Sequence, residues 1–154
     1  MLAHEALDLS WGYADPVAPL WSDLVSRAAD ADRAEVALQT LLGWAKSHEQ
    51  NFFGRHRDNH DGQAMQPNSG WAGRWDAGDD WEYIAITPHH ARDVLRAEDF
   101  SSADIEAVAR LWRERGWIET EAARDGKTRH PRLRVAGVLQ RLIKIRRDAI
   151  DDEA

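Results

Sequence analysis

Residues 101–147 read SSADIEAVARLWRERGWIETEAARDGKTRHPRLRVAGVLQRLIKIRR, and the order of signals in this stretch decides the fold. Ile105, Val108, Ala109, Leu111 and Trp112 recur at helical spacing, which predicts a helix from Asp104 to Arg115. Phe100 to Asp104 supplies a connecting turn and the helix cap. Gly116 stops the helix, and Trp117-Ile118-Glu119-Thr120 starts a strand. Asp125-Gly126 is a turn signal, so Trp117 to Val135 is expected as a hairpin whose return arm begins at Lys127. Val138 to Ile145 is expected as a last amphipathic piece, helical or in part a strand, with Leu139, Leu142 and Ile143 inward. Recognition helix, tight break and two-stranded ribbon is the order of a winged helix. The predicted fold class is therefore α+β, a helix-turn-helix with a β-hairpin wing and an N-terminal helical extension.

Charge sharpens that reading. The whole chain carries a formal net charge of −7, yet residues 124–147 contain nine Lys or Arg and a single acidic side chain, Asp125. A local positive field inside an acidic protein points to a polyanion-binding face, because a partner senses the near field rather than the total charge. The candidate nucleic-acid contacts are Arg124, Lys127, Arg129, Arg132 and Arg134 on the wing, with His130 adding a partial charge, and Arg110 and Arg113 on the helix. Glu106 and Glu114 dilute the helix. Backbone contacts with weak sequence preference are thus expected.

Working outward, 154 residues fit one domain with an appendage. The expected divisions are an extension with a short helix at 1–32, the winged-helix domain at 33–147 and an acidic tail at 148–154. Leu20, Trp21, Leu24, Val25 and Ala28 share a helical face over 20–29. Asp30-Ala31-Asp32 reads as a linker, and Val36, Ala37, Leu38, Leu41, Leu42, Trp44 and Ala45 mark a core helix from Arg33 to His48. Residues 54–70, rich in Gly, Asn and Asp, are expected to be a mobile loop. Trp71–Trp75 and Trp81–Thr87 are expected to pair around Asp76–Asp80. Thr87-Pro88 then opens a helix to about Arg96, threonine as cap and proline first. Most of the eight tryptophans are expected in the core. Trp112, Trp117, Leu111, Ile118, Leu38, Leu41 and Ile84 should share it.

Several chemistries are disfavoured. Gly126-Lys127-Thr128 lacks the earlier glycine of a phosphate-binding loop, since Glu121 stands there, and Pro131 follows where a helix should start. His56 and His60 have a spacing that binds metal on a helix, but the surrounding glycines and asparagine favour a solvated loop. Of His89 and His90, one ring should face solvent and one should pack. No nucleophile–base grouping is recognisable, so neither catalysis nor a cofactor is expected. The chain has no cysteine, no secretory leader and no apolar run near the roughly 18 residues that span a bilayer. A cytoplasmic protein without membrane contact is expected.

The pattern also resembles a known region. It combines Trp11-Gly12, a helix ending in Phe (Val36 to Phe53), Gly-Trp-Ala-Gly-Arg-Trp at 70–75, and an aromatic strand running into a proline-started helix (Trp81 to Leu95). Leu111 to Ile118 and an Asp-Gly-Lys-Thr wing before an arginine-rich strand complete it. This series is similar to the winged-helix region that follows the ATPase core in phage and mobile-element helicases or primase-helicases of the domain-of-unknown-function 927 type. The resemblance covers residues 8–146 and implies a DNA-binding accessory domain whose partners are DNA and a helicase or primase core. The ATPase motifs themselves are absent. A free-standing winged-helix transcription regulator and a protein-interaction module without nucleic-acid binding are the alternatives.

Overall fold

The computed structural model describes residues 17–56 and 66–151. Helix α1 (Val17–Ser47) leads through a 3-10 turn into β1 (Phe52–Phe53). Strands β2 (Gly73–Trp75) and β3 (Tyr83–Ile86) precede helices α2 (Pro88–Ala97) and α3 (Ser102–Glu114). Six short strands follow: β4 (Ile118–Glu119), β5 (Glu121–Ala122), β6 (Thr128–Arg129), β7 (Arg132–Val135), β8 (Val138–Arg141) and β9 (Ile143–Arg146). A turn of helix, α4 (Asp148–Asp151), ends the described chain.

The principal sheet has the order β1-β2-β3-β9-β4. Strand β9 lies between β3 and β4, antiparallel to both, with Ile145 opposite Ile84 on one side and Ile118 on the other. Strand alternation then sends Ile84, Ile86, Ile118, Ile143 and Ile145 to one face, where they meet Leu38, Leu41, Leu95, Val108 and Trp112 of the three helices. Ala85 and Tyr83 point to the other face. There Leu133 and Val135 of the β7–β8 ribbon cover them, together with Leu142, Phe53 and Trp71. Helices on one side of the sheet and a β-ribbon on the other give two apolar layers, and the larger one holds the helix-turn-helix. Helices α2 and α3 followed by a sheet ordered β3-β9-β4 form a winged helix.

Local chemistry fixes the turn between α2 and α3. Thr87 caps α2 by accepting from the His90 amide, with Pro88 at the first helical position. The far end closes with Phe100 N–H donating to the Leu95 carbonyl and Asp99 N–H to that of Arg96. This pairing demands a left-handed residue, and Asp99 supplies it at φ 63°. Ser101 and Asp104 form a reciprocal capping box that starts α3. Helix α3 ends by the same device as α2, with Gly116 at φ 71° and Trp117 N–H donating to Trp112.

The predicted common core is present: Leu38, Leu41, Ile84, Trp112 and Ile118 are buried, and Leu111 and Trp117 pack against them. The hairpin turning at Asp76–Asp80 and both helices of the second half also form. His89 faces solvent while His90 is half-buried.

Other expectations are corrected. The two helices separated at Asp30–Asp32 are one, because Arg27-Ala-Ala-Asp-Ala-Asp-Arg-Ala34 contains no glycine or proline to interrupt the backbone hydrogen bonds. Burial begins only at Ala31, so the apolar face of residues 20–25 and Val36 are exposed rather than core. Trp21 is likewise exposed, against the expectation for tryptophan. Residues 138–145 contain no helix but strands β8 and β9, and Leu139 points outward. Trp117–Val135 is not one hairpin. Its β4 arm pairs with β9, while β5–β6 and β7–β8 form two small ribbons of their own. Ala136 and Gly137, both at positive φ, make the two-residue turn of the second, and the residue pattern offered no Asn-Gly signal for it. The pair His56 and His60, most of the 54–70 loop, the Trp11-Gly12 stretch and the last three residues lie outside the described residues, in whole or in part. Among the described residues no group of three or more His, Asp or Glu is placed to hold a metal.

Two substitutions test this geometry in opposite directions. Asp99→Gly should stabilise by about 0.5–1 kcal/mol, since glycine relieves the left-handed strain and removes an anion from a helix C-terminus. Gly73→Ala should destabilise by about 2 kcal/mol or more, because a Cβ there would stand 1.8 Å from the Ala85 carbonyl oxygen. Urea unfolding of both variants checks the pair.

Candidate nucleic-acid interface

Helix α3 buries Val108 and Trp112 and turns Ala103, Glu106, Ala107, Arg110 and Arg113 outward. These residues follow each other by three or four, so they form one face. With Ala109 they line a shallow groove of about 550 Å³. The three alanines keep the helix surface low, which admits a base edge or a phosphate close to the backbone. The arginines stand at the C-terminal end of the face. Arg110 lies 3.9 Å from Glu114, and both side chains are mostly in solvent. Arg113 donates from Nε to the Ala109 carbonyl of its own helix at 3.1 Å, which leaves its terminal nitrogens outward. The N-terminal half offers Ser102 and Glu106 instead of cations.

The wing divides its cations between two ribbons. On β5–β6, Arg124 and Lys127 flank the turn and make no ion pair among the described residues. Arg129 is different: it donates to Asp125 at 2.6 Å, which partly cancels its charge. On β7–β8, Arg132 stands opposite Arg141, and Arg134 stands opposite Leu139. Antiparallel partners share a face, so Arg132, Arg134, Leu139 and Arg141 all project away from the sheet. Arg134 also bonds the Gly137 carbonyl at 3.2 Å, which braces the tip. The sequence reading leaves out Arg141, whose segment it assigns to a last amphipathic piece, helical or in part a strand. The alternation Val138-Leu-Gln-Arg141 was the available signal.

The remaining cations of the cluster hold the fold together. Lys144 pairs with Glu119 at 2.7 Å and lies over the Tyr83 ring. Arg146 pairs with Asp148. Arg147 reaches Asp151 and bonds the carbonyls of Asp79 and Trp81. Thus α4, the start of the acidic tail, folds back onto β9. Arg115 lies over the Trp117 ring. One stretch of nine cations is therefore two populations, a wing facing solvent and a strand that is internally paired.

His130 sits where helix and wing meet. Burial, and then the charges of Arg113 and Arg141, push its pKa below the ordinary value of 6.5. That shift disfavours the charged form, against the expected partial charge. Arg141 donates to its carbonyl at 2.6 Å, and its buried Nδ1 has no hydrogen-bond partner among the described residues. Burial and His89 depress His90 in the same direction. A histidine with a lowered folded pKa binds fewer protons folded than unfolded. Stability is therefore full above the unfolded value near 6.5 and declines as the pH falls below it toward the folded value. Thermal unfolding between pH 7.5 and 5 should show this loss, and His130→Gln should make the decline shallower.

Comparison with known proteins matches this architecture. A family model, the Cch helix turn helix domain, matches residues 32–148, a span that begins just before the first fully buried residue of α1 and contains the whole winged helix. No curated protein and no solved structure matches the chain. Among the described residues no helix is long and apolar enough to cross a membrane. Helix-turn-helix domains commonly set their second helix in the major groove of DNA, and here that helix is α3. With its family model covering most of its length, the chain belongs to the Cch helix-turn-helix domain family.

Proposed function

We propose that this domain binds duplex DNA, with the outward face of α3 in the major groove and the wing cations on the flanking phosphates. We further propose that it serves, without catalysis of its own, as an accessory domain of a mobile-element replication helicase or primase, working in the cytoplasm. The observation that carries the DNA-binding reading is the division of charge just described. Lys144, Arg146 and Arg147 are each paired with a carboxylate of the same chain, the two arginines at the surface, whereas Arg124, Lys127 and Arg132 are exposed and make no ion pair among the described residues. Free cations beside a low-relief helix face suit a polyanion better than any feature of the acidic first half does. The helicase or primase context rests on the resemblance of residues 8–146.

Contacts with phosphate position a protein but carry little sequence information. Glu106, in the middle of the α3 face, opposes phosphate and is suited to accept from a cytosine amino group. Binding to unrelated duplexes should accordingly be similar and salt-sensitive. A protein partner is favoured at a different place. Leu20, Trp21, Leu24 and Val25 are each more than half exposed on α1, well away in sequence from the DNA-facing elements. That face is compatible with docking to the core of a larger replication protein.

Fluorescence anisotropy across a salt series tests the assignment. Each phosphate neutralised contributes about 0.9 to the slope of log K against log salt. Changing Arg124, Lys127 and Arg132 together to Ala should flatten the slope by about 2–3, by similar amounts on unrelated sequences. Arg129→Ala should change it by less than one unit, because Asp125 already offsets that charge. A wild-type protein without salt-sensitive binding at low ionic strength would overturn the proposal.

A further inference from the structure

Among the described residues, the exposed large hydrophobic side chains occur in two places only: along α1 and at the tip of the β7–β8 ribbon. At the tip, Val138 is 63% and Leu139 50% exposed. They follow directly on the Ala136-Gly137 turn. Val138 stands opposite Val135, on the inner side of the ribbon, and Leu139 stands on the outer side among the arginines, so the tip carries one exposed apolar side chain on each face, and neither fills the core. The inner face already seals the sheet through Val135, 1% exposed, and Leu133. Leu139 lies on the outer face, directly opposite Arg134 and two residues from Arg141.

The surroundings identify what such a tip would meet. Arg113 of α3 and Arg141 of β8 both act on His130, so the end of the recognition helix and the base of the ribbon adjoin. From there the outer face runs Arg132 and Arg141, then Arg134 and Leu139 side by side, with the Ala136-Gly137 turn beyond them. At about 3.3 Å per strand residue, the tip stands roughly 15–20 Å beyond the helix end, on the order of five base pairs of duplex. A cationic ribbon whose tip exposes an apolar side chain on each face is complementary to a polyanion with an apolar interior. In duplex DNA that interior is the base stack.

The tip is also stiff. A two-residue turn with both residues at positive φ closes it, Arg134 bonds across to Gly137, and Arg74 Nη1 donates to the Arg134 carbonyl from β2. A braced point holds its shape when pressed against a stack, whereas a floppy loop would fold aside.

We infer that the β7–β8 ribbon is a wedge, with Leu139 and Val138 entering a base step of the bound duplex and partly unstacking it. This deepens the DNA-binding reading and rests on it. Apolar side chains that enter a step open and kink the duplex, and the cost is least at flexible pyrimidine–purine steps such as TA. The arginines alongside hold the two flanking phosphate backbones while the step opens.

The test uses duplexes in which 2-aminopurine replaces adenine at single positions, including TA steps, together with end-labelled duplexes for bending by energy transfer. Wild-type protein should raise 2-aminopurine fluorescence severalfold at one or two adjacent positions and bring the labelled ends closer. Val138→Thr with Leu139→Thr puts β-branched residues, which suit a strand, at both positions. This variant should bind with an unchanged salt slope but lose both the fluorescence rise and the bend, whereas Leu139→Met should retain them. Matching circular dichroism and unfolding curves exclude a folding defect. Persistence of the fluorescence rise and bend in the Thr variant, or wild-type binding without either, would overturn the wedge while leaving DNA binding intact. Absence of salt-sensitive binding by the wild type would overturn both.

Discussion

The structure depends on one side chain of the recognition helix. Trp112 is 1% exposed, and its indole N–H donates to the Ala34 carbonyl of α1 at 2.8 Å. That single residue sets how far α3 stands from α1 and how it is rotated, because a large ring with a fixed donor fits in only one way. Truncating such a residue costs about 3–5 kcal/mol, a large share of the roughly 5–15 kcal/mol that keeps a domain folded. Once Trp112 and Val108 are fixed inward, helical geometry leaves Ala103, Glu106, Ala107, Arg110 and Arg113 outward. The outward side follows from the core-facing side. Arg33 of α1 reinforces the placement from the other end, with a 2.9 Å bond to Asp104 beside the capping box and its guanidinium over Phe100.

Strand β9 has the corresponding role for the wing. It returns to the centre of the sheet between β3 and β4, and everything between β4 and β9 is thereby displayed as an extended wing. This explains why the wing carries two ribbons. The first, β5–β6, is short and exposed. The second, β7–β8, doubles back and covers the sheet face that the helices leave open. Its inner side is a piece of core while its outer side is cationic, with alternate residues on each side.

Much of the helix-turn-helix was legible in the sequence because its signals are local. Thr87-Pro88, Ser101 with Asp104, and Gly116 are capping chemistry that acts within a few residues. The spacing of Ile105, Val108 and Trp112 specifies a buried stripe without reference to the rest of the chain. The wing was legible only in outline. Asp125-Gly126 announced one turn, but Ala136-Gly137 adopts a turn for which alanine is a poor marker, and the strand pairing of Ile143–Arg146 is set by partners more than fifty residues away in β3. The same limit applied to charge. Counting nine cations in residues 124–147 located the basic region, but Glu119, Asp148 and Asp151 pair with three of them only after folding. Arg141 escaped notice for the converse reason, since its place beside Arg132 exists only in the β7–β8 register. The exposed half of α1 was misjudged because an apolar helical stripe reads the same whether it faces the core or extends past it.

The central proposal is that DNA is met by the outward side of α3 and by the wing, whose placements follow from Trp112 and β9, and not by α1. Amide chemical-shift mapping during titration with a duplex tests it most directly. The account predicts that the shifts concentrate at residues 103–113 and across 124–141, with residues 20–30 of α1 and the α1–α2 groove around Gly43 and Trp44 unaffected. Shifts confined to α1 and α2, with the α3 face and wing silent, would contradict it.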